Sequence, residues 1–189
     1  MEIRFEKLTP ERIDDFFHFF DHDAFSDHEE WAGCYCLESH IKETAEEKFT
    51  REVRRQKAKA LILDGTMTGY LLYDGATVAG WCNAGDKGTY GPICANEAYF
   101  TEPPEQGRIK IIYCIDIAPN YRGRGIADLI VERVTADAKE EGYSYLEGYP
   151  FVDETLAYQY KGPLRLYEKH GFQPYRKNEW FYVMRKALK

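Results

Sequence analysis

Cys114-Ile115-Asp116-Ile117-Ala118-Pro119-Asn120-Tyr121-Arg122-Gly123-Arg124-Gly125-Ile126-Ala127 follows a β-rich run at residues 108–113 and opens a helical run continuing through Asp128-Leu-Ile-Val-Glu-Arg-Val. A chain that leaves a strand, crosses a glycine-bearing turn and enters a helix leaves several backbone N–H groups unpaired at the helix start. The helix dipole favours negative charge there, so such a turn can cradle phosphate. Glycine lets a pyrophosphate approach the backbone and lets the turn adopt positive φ.

The glycine spacing decides which phosphate ligand fits. Gly123-Arg-Gly125 continues as Ile-Ala-Asp, so the third glycine of the dinucleotide fingerprint is missing, and no Gly-Lys-Ser/Thr follows as in a nucleoside-triphosphate loop. The pattern that fits is Arg/Gln-x-x-Gly-x-Gly/Ala, here Arg122-Gly-Arg-Gly125-Ile-Ala127, set between a strand ending in Ala-Pro and an amphipathic helix. It resembles the acetyl-CoA loop of the GNAT N-acetyltransferase superfamily. Downstream, with room for one helix and one strand between, Leu166-Tyr167-Glu-Lys-x-Gly171-Phe172 resembles a second element of that family, a short helix carrying Leu-Tyr and ending in Gly-Phe. The resemblance covers residues 108–180 by motif and the first hundred residues by element order.

That resemblance implies a single α/β (α+β) domain over residues 1–189, with a twisted, mixed central sheet of about six or seven strands flanked by helices. It implies transfer of an acetyl group from CoA to a primary amine by direct attack in a ternary complex. The alternative is a non-catalytic acyl-CoA-binding sensor or scaffold of the same fold. The N–H groups of Arg124 to Ala127, with Gly123, Gly125 and Ile126 in the turn, would hold the pyrophosphate, Arg122 and Arg124 would add charge, and the backbone of Ile115 and Ile117 would pair with the pantetheine arm. Tyr167 would protonate the departing thiolate, since a phenol is protonated at neutral pH. Asp116 and Glu147 are the candidates for the base that takes the amine proton. The family often has an asparagine seven residues before the helix tyrosine, where this chain has Tyr160. A ping-pong route through Cys114 is a formal alternative.

Composition bounds the rest. At 189 residues, 44% hydrophobic and 15% aromatic, the chain has one substantial core and is not disordered. Mean hydropathy of -0.57 and the lack of a long uncharged apolar run exclude a membrane span. A net charge of -7 and a pI near 5.3 argue against nucleic-acid partners and favour a cationic acceptor, a small-molecule or peptide amine. Five cysteines and a polar start, Met-Glu-Ile-Arg-Phe-Glu, point to a reduced, cytoplasmic setting. Two groupings suggest a metal. Cys34-x-Cys36 has His28 and His40 nearby but no second cysteine pair at zinc-ribbon spacing; His18 and His22, four apart, sit among aspartates as solvated residues would. No metal is expected.

Along the chain, residues 2–8 alternate as an opening strand, and Thr9-Pro10 starts a helix with Ile13, Phe16, Phe17 and Phe20 on one face. Residues 24–40 lack periodicity; Trp31 and Tyr35 there either enclose the acceptor or plug the core under a long loop. Residues 43–63 read as one exposed helix, and 69–73 with 77–82 as a hairpin around Asp74-Gly75. Residues 83–106 form a long irregular connection, a candidate lid. A fifth strand is expected at 143–150, a short helix at 162–171 and closing strands at 172–175 and 180–184. Exposed aromatics near Trp180 would allow a homodimer.

Overall fold

Residues 109–117 carry buried side chains on both faces, as a strand inside a sheet must. In the computed structural model, which describes residues 2–41, 43–44, 48–91 and 107–188, this strand is β4 (Ile109–Ile117). It lies in a seven-stranded sheet with β1 (Ile3–Lys7), β2 (Gly69–Asp74), β3 (Thr77–Asp86), β5 (Tyr145–Gly148), β6 (Gln173–Lys177) and β7 (Tyr182–Ala187), in the order β1-β2-β3-β4-β5-β7-β6. All neighbours are antiparallel except β4 and β5.

Helices cover both faces. One layer buries Phe16, Phe17, Phe19 and Phe20 from α1 (Ile13–His18) and the wider turn that continues it, with Ala58 and Ile62 from α2 (Arg51–Leu63). The other buries Ile126, Ile130, Val131 and Val134 of α3 (Ile126–Glu140) and Leu166 and Tyr167 of α4 (Leu164–Lys169). Four phenylalanines within five residues are buried, a broader face than the helical stripe the spacing predicts. The chain loosens into a π-type turn at residues 19–23, which swings the stripe round.

Two details of β4 set the geometry of the site. Asn83 is paired with Cys114 while Ala84 is paired with Ile112, so Tyr113 is an extra residue, a bulge. Below it the side chains alternate normally; across it Tyr113 and Cys114 both enter the α1 layer. In addition β5 pairs only with Ile109, Lys110, Ile111 and Ile112. Beyond them β4 and β5 part, leaving an open wedge along residues 113–117.

Several boundaries differ from expectation. The helix expected at 43–63 begins at Arg51, because the Thr50 hydroxyl caps it by accepting from the Val53 N–H at 3.3 Å; residues 45–47 lie outside the described residues. β3 runs on to Asp86, since its pairing with β4 continues past the bulge. Residues 87–89 are a single tight turn, and 92–106, most of the expected lid, lie outside the described residues. The fifth strand is shorter than expected, four residues, ending where its partner diverges. No helix among the described residues is long and apolar enough to cross a membrane.

Candidate functional site

The turn between β4 and α3 has the form the glycines allow. Gly123 and Gly125 have φ of 72° and 77°, and a Cβ at either would meet no atom within 4 Å, so the space above the turn is open. Gly125 caps α3, and the first helical N–H bonded back is that of Asp128, to Gly125 O at 3.1 Å. None of the described hydrogen bonds uses the N–H groups of residues 124–127. A cavity of about 470 Å³ lies over them, walled by Gly123, Gly125, Ile126 and Ala127 on one side and by Arg165 and Lys169 of α4 on the other. Arg165 and Lys169 bring positive charge to the cavity, Lys169 being already paired with Asp128, which lines the same cavity, Nζ to Oδ1 2.7 Å. Sequence reading missed them, although their spacing of four on a short helix was the available signal.

Arg122 is engaged elsewhere. Its Nε donates to Ile117 O at 2.9 Å and its guanidinium pairs with Asp27, so it ties the turn to the segment after α1. Arg124 is exposed, 5.7 Å over the Tyr121 ring.

The wedge between β4 and β5 holds the next space. A cavity of about 280 Å³ shares Ile117, Ala127 and Pro163 with the first and adds Ile115, Asp116, Trp31 and Tyr160. The Ile115 N–H points into the wedge and donates to Tyr160 O at 2.6 Å. A third cavity, about 520 Å³, shares Trp31, Asp116, Tyr158 and Tyr160 with the second and is closed by Tyr113, Cys114, Cys34 and Cys36. Three adjoining spaces thus run from the open helix start, along the edge of β4 that β5 leaves and the Tyr160 carbonyl covers at Ile115, to a chamber with Asp116, Glu30 and Glu38 in its wall.

Asp116 is 7% exposed and lines both the second and the third cavity. Burial raises its carboxyl to about 6, opposed by a hydrogen bond from the Cys114 thiol, 3.1 Å to Oδ2, and by the charge of Arg122. It faces away from Ile115 and Ile117, which pack in the other layer. Trp31 lies at the join of the second and third cavities, its ring stacked on His28 at 3.9 Å and edge-on to Tyr158. Tyr35 is fully buried; its hydroxyl donates to Asp21 at 2.5 Å and accepts from Arg51 at 3.2 Å. Its ring packs on Phe17 and Phe20. Lys161, buried behind the chamber, holds its Nζ 3.7 Å over the Tyr113 ring, and burial lowers it to about 8.

The remaining expected groups sit deeper. Glu147 is fully buried; Oε1 accepts from Arg185 at 2.5 and 2.8 Å, and Oε2 from Lys87 and Tyr149, both at 2.8 Å. Tyr167 is fully buried too, and its hydroxyl donates to Lys161 O at 2.6 Å. Burial pushes its phenol up, so it is protonated across the physiological range. The ring passes where a Cβ on Gly148 would stand, and the hydroxyl lies beside Gly162, which walls the middle cavity. Among the earlier histidine candidates, His28 pairs with Glu30 and His40 stacks on Tyr90, while His18 and His22 are exposed.

Comparison with known proteins bears on this arrangement. The family model described as an acetyltransferase (GNAT) domain matches residues 68–174. Among solved structures, the fold is similar to that of an acetyltransferase from Thermus thermophilus, at 15% identity over 100% of this chain and 98% of the other, with a TM-score of 0.61. It is similar also to the PaiA N-acetyltransferase of Thermoplasma acidophilum in complex with coenzyme A, at 14% identity over 99% of each chain and a TM-score of 0.59. A chain of the NatC complex bound to Gag peptide and CoA aligns over 100% of both chains at 18% identity, TM-score 0.56. At such identities the likeness establishes the fold. No curated protein sequence matches the chain.

Proposed function

This chain belongs to the acetyltransferase (GNAT) domain family, and from that membership we propose that it transfers an acetyl group from acetyl-CoA to a primary amine by direct attack in a ternary complex. The observation that carries the reading is the series of adjoining cavities from the open start of α3 to the chamber at Asp116. We take the domain to extend over residues 1–189. Known solved relatives in complex hold coenzyme A or CoA with a peptide, and for this chain a small-molecule or peptide amine is the proposed acceptor.

In this reading the bound cosubstrate supplies an activated thioester, and the chain's residues do the rest. The N–H groups of residues 124–127 take the pyrophosphate, with Arg165 beside it and Lys169 exchanging its Asp128 partner for the anion, a charge-assisted arrangement at a helix start. The edge of β4 at Ile115 and Ile117 takes the pantetheine arm, which requires the segment at Tyr160 to release the Ile115 N–H. Trp31 borders the amine. Asp116, ionised above about pH 6, accepts the amine proton, directly or through water. Tyr167 gives its proton to the departing thiolate once its hydroxyl turns from Lys161 O.

Thermal unfolding with acetyl-CoA tests the site. At a hundredfold excess over the dissociation constant, the wild type gains about 3 kcal/mol. Gly125→Glu sets a carboxylate in the anion site and loses that gain. Gly125→Ala shares the backbone strain of φ 77° without the charge, and keeps most of it. A wild type that folds but is not stabilised by any acyl-CoA refutes the reading.

Tyr167→Phe separates chemistry from packing. Loss of the phenol leaves Lys161 O without its donor and costs about 1 kcal/mol of stability. If Tyr167 is the acid, kcat falls about 10²-fold with little change in KM for acetyl-CoA. Loss of stability with unchanged kcat leaves Tyr167 a packing residue only.

A further inference from the structure

Two stretches far apart in sequence bring sulfur and carboxylate together at the back of the acceptor chamber. Cys36 Sγ, Cys114 Sγ and a carboxylate oxygen of Asp116 lie within 4.8 Å of one another, and all three residues are buried. Cys34 lines the same chamber.

The three groups are held from outside the cluster. Cys114 and Asp116 share a face of β4 by alternation, just past the bulge at Tyr113. Cys36 sits in a left-handed conformation, φ 52° and ψ 23°. Its carbonyl accepts from the Ser39 hydroxyl at 2.7 Å; Ser39 Oγ accepts from Asn83 at 3.0 Å, and Asn83 accepts from the Tyr90 hydroxyl at 2.6 Å. This buried chain fastens the Cys36 turn to β3, the strand that neighbours β4. The convergence is therefore set by sheet pairing and a fixed turn, as a preorganised site requires.

We propose that Cys36, Cys114 and Asp116 form a binding site for a soft divalent cation of the zinc class, with its fourth position open to the chamber beside Cys34. Two sulfurs select a thiophilic ion over magnesium or calcium, and three protein ligands with one open position suit tetrahedral coordination. Charge also closes. Two thiolates and a carboxylate carry three negative charges, which a dication and one ammonium cancel, and Lys161 is buried against Tyr113 of the same chamber wall.

The consequence rests on Asp116 being the base of the proposed transferase. A cation on its carboxylate occupies the oxygen that would take the amine proton, so metal occupancy and catalysis exclude each other.

Cobalt reads the site without any activity assay. The full chain, reduced and freed of metal, is titrated with Co²⁺. A thiolate-to-cobalt charge-transfer band that saturates at one ion per chain and is displaced by Zn²⁺ is the expected result. Cys36→Ser and Cys114→Ser each weaken binding by about 100-fold or more. Cys82→Ala, a thiol in the other core layer, leaves the band in place. Zinc at one equivalent suppresses acetyl transfer and a chelator restores it. No band in the folded wild type, or a band that survives both sulfur substitutions, overturns the site. A band with transfer undetectable in every metal-free form sinks the transferase reading and leaves the cation site standing.

Discussion

Glu147→Ala will destabilise the protein by about 3–5 kcal/mol, the usual cost of removing one partner from a buried ion pair. The reason is what remains behind. Glu147 is 0% exposed, and its oxygens accept from Arg185, Lys87 and the Tyr149 hydroxyl. Lys87 and Arg185 are themselves buried. Alanine leaves two cations in a low-dielectric interior without their common anion, and no water can replace a carboxylate there. For a domain of this length the loss corresponds to a fall in Tm on the order of 10 °C. Urea unfolding measures it, with Glu147→Gln as the companion: the amide keeps the shape but accepts at one atom only, so it falls between wild type and alanine. An alanine variant of wild-type stability with abolished transfer reverses this assignment and returns Glu147 to the role of base.

The placing of Glu147 shows where sequence reading reaches its limit. Glu147 is opposite Arg185 across the β5–β7 pair and opposite Ile111 across the β4–β5 pair. Its neighbours follow from the register of the last strand, which no local pattern near residue 147 encodes. The strand, turn and helix at residues 109–140 were legible because their signals are local: a β-rich run, two glycines with positive φ and an amphipathic periodicity. The Asp74-Gly75 hairpin was legible for the same reason. The cysteine cluster was not, since the residue that completes the Cys34-x-Cys36 grouping is neither nearby histidine but Cys114, brought in by a bulge. The aromatic wall shared by Trp31, Tyr158 and Tyr160 was equally hidden, because it joins two loops without periodicity.

Asp116→Asn will lower kcat for amine acetylation by about 10²–10⁴-fold, measured with a chelator present so that no cation competes for the carboxylate. The pH dependence identifies the cause. In the folded protein burial raises the Asp116 carboxyl from 3.8 to about 6. The proton must leave before the residue can act as a base, so the wild-type rate climbs through about pH 6 and levels above it, and the asparagine variant loses that ascending limb. Stability moves the other way. Between the unfolded and folded values the native state binds more protons than the unfolded chain, so stability falls as pH rises through this window, by up to about 3 kcal/mol. The asparagine variant has no charge to bury and escapes that fall; at pH 8 it is at least as stable as wild type while being the slower enzyme. Loss of rate joined to loss of stability at pH 8 identifies Asp116 instead as a structural acceptor for the Cys114 thiol. An ascending limb retained in the variant assigns the titration to the amine acceptor and removes Asp116 from the reaction.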